Sequence, residues 1–99
     1  MNTETLNKQQ IIELRAQAHG LHPVVMVGQK GLTDAVIRET DTALNAHGLI
    51  KVRVFGDERS EREAVCRELC AATQAQLVQH IGKLLVLYRK PDDDSAPSA

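Results

Sequence analysis

Gly28-Gln29-Lys30-Gly31 is the stretch of this 99-residue chain whose residue types and spacing point most directly to binding chemistry. Two glycines bracket a lysine, so the backbone is free to take positive φ and a bulky anion can approach without meeting a Cβ. Lys30 adds a mobile cation between them. The apolar run Val24-Val25-Met26-Val27 precedes the loop, and a helix start with Thr33 as its cap follows it. Unpaired amides at the positive end of that helix would therefore stand beside the lysine, an arrangement that suits phosphate oxygens. The tetrapeptide alone fits an ordinary strand-to-helix turn with a solvated lysine equally well, because GxxG spacing is common by chance.

Other chemistries find less support. Cys66 and Cys70 lie four apart rather than in a CxxC pair, and His19, His22, His47 and His80 complete no zinc pattern, so no metal site is expected. The two thiols read as small buried side chains. No GK[ST] signature follows the loop, no Ser/His/Asp pattern stands out, and no carboxylate cluster is placed to hold Mg²⁺. The expectation is a protein that is not an enzyme, with no cofactor and no small-molecule substrate.

The elements that must position the loop can be read from caps and periodicity. Asn7 and Gln10 form a capping box with Leu6 and Ile11 as staple, predicting a helix over about 8–19 whose Ile11, Leu14 and Ala18 face inward and which Gly20 ends. Lys8, Arg15 and His19 share one face of it. Residues 24–27 form a continuous β-prone run, read as a strand buried on both sides. A second helix begins at Thr33, buries Val36, Ile37, Thr40, Ala43 and Leu44, and ends at Gly48. In the next strand, residues 49–55, Ile50, Val52 and Val54 point one way and Lys51 and Arg53 the other. Ser60 and Glu63 read as a capping box for a third helix with Val65, Leu69 and Ala72 inward and mixed charge outward. Two final β-runs, 76–81 and 84–89, are joined by Gly82-Lys83 in a tight hairpin. Leu77, Ile81, Leu84, Val86 and Tyr88 are assigned to one face of it and Val78, Leu85 and Leu87 to the other. Cover is needed on both faces, with the first helix opposite the other two.

The predicted fold class is α/β, order α-β-α-β-α-β-β, with a mixed four-stranded sheet, parallel pairs from two strand-helix-strand units and a terminal antiparallel hairpin. Residues 1–90 form one domain, and 91–99, PDDDSAPSA, read as a disordered acidic tail. The formal charge is −1, but without Asp92, Asp93 and Asp94 the 12 Lys and Arg face 10 Asp and Glu, a balance of +2. That mild basicity is compatible with RNA. Phe55 and Tyr88 are the only aromatics, which argues against a sheet or groove that stacks several bases. Nothing resembles a membrane span or a secretion signal, so a cytoplasmic protein is expected.

The run LNKQQIIELRAQAHGLHPVVMVGQKGLTDAVIRETDTALNAHGLIKVRV, with IGKLLVLYR at the end, resembles the YhbY family, stand-alone bacterial versions of the CRM (chloroplast RNA splicing and ribosome maturation) domain. The specific pieces are Ala18-His19 with Leu21-x-Pro23, Gly28-x-x-Gly31-Leu32-Thr33, Leu49-Ile50-Lys51-Val52, and Ile81-Gly82-x-x-Leu85-Val86-Leu87-Tyr88-Arg89. The resemblance implies a fold similar to the C-terminal domain of translation initiation factor three. It also implies an RNA-binding protein acting on ribosomal RNA in large-subunit precursor particles during ribosome biogenesis. By similarity the loop would hold the RNA backbone as a KH-domain GxxG does, although here it joins strand to helix, so the phosphate-holding role carries over and the base-reading groove does not. The expected RNA-binding set is Gly28, Gln29, Lys30, Gly31 and Thr33, with Lys8, Arg15, His19, His22, Lys51, Arg53, Lys83 and Arg89 as the pool for a basic surface. A monomer is expected. The alternative is a ribosome-associated protein-interaction module in which the loop is only structural.

Overall fold

The computed structural model describes residues 6–90, so the acidic segment at 91–99 lies outside the described residues. Three helices, α1 (Lys8–Ala18), α2 (Asp34–His47) and α3 (Arg59–Thr73), alternate with strands β1 (Pro23–Val27), β2 (Leu49–Val54) and β3 (Gln76–Ile81), and β4 (Leu84–Tyr88) closes the chain. The predicted order is the observed one. The local chemistry of the first two helices also matches. Asn7 Oδ1 accepts from the Gln10 amide at 2.8 Å while the Gln10 side chain accepts from the Asn7 amide at 2.9 Å, so both partners of the box are engaged. Thr33 Oγ1 caps α2 by accepting from the Val36 amide at 3.2 Å, and Gly48 ends that helix at φ +76°, a conformation a side chain would oppose.

Two helix ends differ from expectation. α1 stops at Ala18, with His19 as its right-handed C-cap, and Gly20 does not take positive φ. The Leu21 amide bonds the Ala18 carbonyl at 3.0 Å instead, and Leu21 packs against the buried cluster of Ala18, Leu49, Val78 and Val86. α3 begins at Arg59 with Glu58 as its uncapped N-cap, so Ser60 and Glu63 form no capping box. Glu63 is taken by Arg59 across one turn at 2.9 Å, which leaves it unable to reach back to the helix start. Further along α3, Thr73 rather than Ala72 turns inward, its hydroxyl satisfied by the Leu69 carbonyl at 2.8 Å.

The four strands lie in the order β1-β2-β4-β3, with β1 and β2 parallel and β4 antiparallel to both neighbours. The second strand-helix-strand unit therefore forms no parallel pair, because the hairpin folds β4 back into the slot between β2 and β3. β4 can fill it because LLVLY is apolar on both faces; Leu85, Val86 and Leu87 are all buried. β1 is left at the edge, which corrects the reading of a strand buried on both sides: Val25 and Val27 are buried, but Val24 and Met26 are more than half exposed.

Each face of the sheet carries its own core. Val25, Val27, Ile50, Val52, Val54, Leu85 and Leu87 pack against Leu44 of α2 and Cys66 and Leu69 of α3. On the opposite face Leu49, Val78 and Val86 pack under Ala18 of α1, with Ile11, Leu14 and Tyr88 around them. The expected division of the helices between faces is observed. A register shift between Leu77 and Gln79 sets Leu77 opposite Leu87 and sends Val78 beneath α1, so these two residues exchange the faces assigned from strict alternation. No helix among the described residues is long and apolar enough to cross a membrane.

Candidate nucleic-acid interface

The glycine loop leaves β1 at the end of the sheet where β2 also finishes, with the Phe55 amide bonded to the Val27 carbonyl at 2.9 Å. Gly28 to Gly31 make a tight turn closed by the Gly31 amide on the Gly28 carbonyl at 3.0 Å. Gly31 takes φ +75°, so a side chain there would strain the turn; Gly28 does not, which narrows the expectation that both glycines use positive φ. A Cβ built at Gly28 or Gly31 meets nothing within 4 Å, so the outer side of the loop is open space. Gln29 and Lys30 are exposed at its tip, and among the described residues no carboxylate pairs with Lys30.

Leu32 and Thr33 connect the loop to α2. The Asp34 and Ala35 amides that open this helix have no acceptor among the described residues, whereas Val36 and Ile37 donate to the Thr33 hydroxyl and carbonyl. Thr33 acts on the site through the cap that orients those amides, its hydroxyl already accepting one bond. Asp34 is an exposed carboxylate in the first turn, stabilising for the helix and unfavourable for an arriving anion. The sequence reading overlooked it because it follows the GxxG letters rather than falling within them.

The pool of cations does not gather at one place. Arg53 faces outward next to β1, paired with Met26, and Lys83 stands at the hairpin tip, its carbonyl accepting from the Val54 amide at 2.8 Å. Both are at the loop end of the sheet, with half-buried Lys51 two residues before Arg53 on the same face. His22 precedes β1, separated from the loop by about 20 Å of extended chain. Lys8 opens α1 and His19 caps its end, and the Arg15 guanidinium donates to the Val78 carbonyl at 3.2 Å.

Arg89 is engaged elsewhere. Its guanidinium donates to Asp41 Oδ1 at 2.6 Å, the Thr73 carbonyl at 2.8 Å, Asn45 Oδ1 at 2.7 Å and the Asp41 carbonyl at 3.2 Å. It therefore pins the end of β4 to α2 and α3. Arg62, one of the charged residues along α3, has a comparable role at the loop end. It donates to the Gly56 carbonyl at 2.7 Å and the Gly82 carbonyl at 3.0 Å, tying the hairpin tip to the turn after β2. Neither backbone carbonyl could be identified from sequence.

The two cysteines share one hydrogen bond, which pushes the partly buried Cys70 thiol above its ordinary range and draws the Cys66 thiol down against the burial that raises it. Cys66 itself is buried, away from the exposed surroundings of a reactive thiolate. Among the described residues no group of His, Cys, Asp and Glu could hold a metal ion.

A three-helix, mixed-sheet α/β domain with an open glycine-lysine turn at a helix start is the class of protein that these features define. The CRS1 / YhbY (CRM) domain model matches residues 6–89, and the chain belongs to that family. It is 44% identical over 85 residues to a probable RNA-binding protein of Pseudomonas aeruginosa, spanning 86% of this chain and 82% of the relative. It is likewise 44% identical over 89 residues to an RNA-binding protein of Haemophilus influenzae, covering 90% of each chain. Among solved structures, that of a hypothetical Staphylococcus aureus protein described as a candidate RNA binder superposes with a TM-score of 0.78 at 32% identity, covering 87% of this chain and 90% of that one.

Proposed function

We propose that this protein is a non-catalytic RNA-binding module that holds backbone phosphates on Gly28–Gly31 and the amides opening α2. Membership of the CRM family and the names of its relatives support RNA as the ligand class. The observation that carries the site is the exposed Gly28–Gly31 turn, unobstructed on its outer side, with unpaired Lys30 at its tip and free helix amides next in the chain. Arg53, Lys83 and Lys51 extend the positive surface from that end, while Lys8, His19 and His22 form a separate outlying group. Arg15 and Arg89 act mainly as structural donors in this reading. Phosphate contacts of this kind position a protein without reading sequence, so selectivity comes from RNA shape and 2′-hydroxyls. In this reading the partner is ribosomal RNA in large-subunit precursor particles, in the cytoplasm, and the protein acts as a monomer; the likeness to stand-alone bacterial members supports the choice of ribosomal RNA.

The test is binding to precursor and mature ribosomal RNA across a salt series, with Lys30→Glu beside the wild type. The expected log–log slope is about −0.7 per phosphate contacted on single-stranded segments. Lys30→Glu should weaken binding and flatten the slope. Unchanged binding by the variant would move the site away from the loop, and particle association that ignores salt would favour docking on ribosomal proteins instead.

A further inference from the structure

α1 covers only part of its face of the sheet. Beneath it Leu49, Val78 and Val86 are buried, but towards the glycine loop the same face carries Val24 at 53% exposure, Met26 at 57%, Phe55 at 43% and Ile81 at 53%. The register draws these into a continuous surface. Met26 pairs with Arg53, Arg53 with Leu84 and Leu84 with Ile81, one row running across all four strands. Phe55 lies two residues beyond Arg53, and the Arg53 guanidinium sits 5.2 Å from the centre of its ring. Exposed apolar side chains grouped in a row, rather than scattered singly, mark a candidate interaction surface.

Three observations select its chemistry. None of the four strands contains Asp or Glu, while Lys51 and Arg53 both lie on this face, so the surface is apolar and cationic. A second copy of the chain is disfavoured, since a two-fold interface pairs this face with itself and its strands hold no carboxylate to meet Arg53 and Lys51. The paired ring and guanidinium offer the flat surfaces on which nucleobases stack. The row is also continuous with the loop, because Met26 is two residues before Gly28 and Val27 is bonded to Phe55.

We propose that the open end of the sheet takes unpaired bases of an RNA strand, stacked on Phe55 and Arg53 and bordered by Met26, while the phosphates of the same strand lie on Gly28–Gly31. This inference rests on the RNA-binding reading above and adds to it a preference for single-stranded RNA. Scarcity of rings rules out a platform for many bases; one ring with one guanidinium, beside a phosphate loop, still suffices for a short stacked contact.

The experiment compares three probes, oligouridylate, the corresponding ribose-phosphate strand lacking bases, and an RNA duplex, against wild type, Phe55→Ala, Phe55→Leu and Lys30→Glu. Phe55 is exposed enough for both of its variants to fold, which circular dichroism checks, and Leu keeps an apolar side chain while removing the ring. Wild type should favour oligouridylate over the duplex. Both Phe55 variants should bind oligouridylate about ten-fold more weakly, with an unchanged salt slope and unchanged binding to the base-free strand. Lys30→Glu should weaken both single strands and flatten the slope. If the Phe55 variants bind like wild type while Lys30→Glu does not, the stacking surface is refuted and the loop survives. If the Phe55 variants lose binding and Lys30→Glu does not, the shared path is refuted together with the loop site. Unchanged RNA binding with altered self-association in the Phe55 variants would reassign the face to a second copy.

Discussion

At the scale of single residues, the same side-chain type serves different ends according to what surrounds it. Lys30 and Arg89 both belong to the cation pool that the sequence suggests, yet Lys30 stands alone at a loop tip while Arg89 is 20% exposed and hydrogen-bonded across α2, α3 and β4. Arg89→Lys retains the charge but loses the planar fork that reaches several acceptors together. It should destabilise the protein by about 1–2 kcal/mol in urea unfolding, a discounted value because Asp41 is half exposed, and leave the RNA salt slope unchanged. A slope that falls with the variant would return Arg89 to the binding surface. The sequence shows which residues carry charge. It does not show which charges are already satisfied, because Asp41 and Asn45 are more than 40 residues away along the chain from Arg89.

At the scale of elements, short-range rules succeeded where both partners lie within one turn. Asn7 with Gln10 and Thr33 with Val36 are local, so the starts of α1 and α2 were legible. Ser60 with Glu63 has the same spacing but competes with Arg59, one residue earlier, for the same carboxylate. The end of α3 is unusual in another way. Gln74 is the sole described non-glycine residue at positive φ, +58°, and Ala75 donates to the Cys70 carbonyl at 3.0 Å across it. The left-handed conformation costs a side-chain-bearing residue about 1 kcal/mol. Gln74→Gly should therefore stabilise the protein by up to about 1 kcal/mol, less the entropy that glycine adds to the unfolded chain. A thermal midpoint that rises modestly would bear this out, and one that falls would mean that Gln74 makes contacts outweighing its strain.

At the scale of the whole molecule, charge distribution and sheet order decide what the surface offers. The three aspartates at 92–94 turn a balance of +2 over residues 1–90 into −1 for the chain. A variant ending at Lys90 should bind RNA more tightly at low salt and converge with the full chain as salt rises, since screening shortens the reach of those charges. Equal binding at low salt would mean that the acidic segment is held away from the RNA. The amino-acid sequence by itself determined the element order, the first two helix starts, the division of the helices between two sheet faces and the glycine-lysine turn. Each depends on neighbours within one turn or on the alternation of strands. Only the tertiary structure decided that β4 separates β2 from β3, that Val24 and Met26 lie open on an edge strand, and that Arg89 and Arg62 spend their donors inside the fold. It also placed Phe55 with Arg53 beside the loop. These outcomes depend on which strand occupies the centre of the sheet and on how far α1 reaches across its face, and those are set by packing between segments distant in the chain.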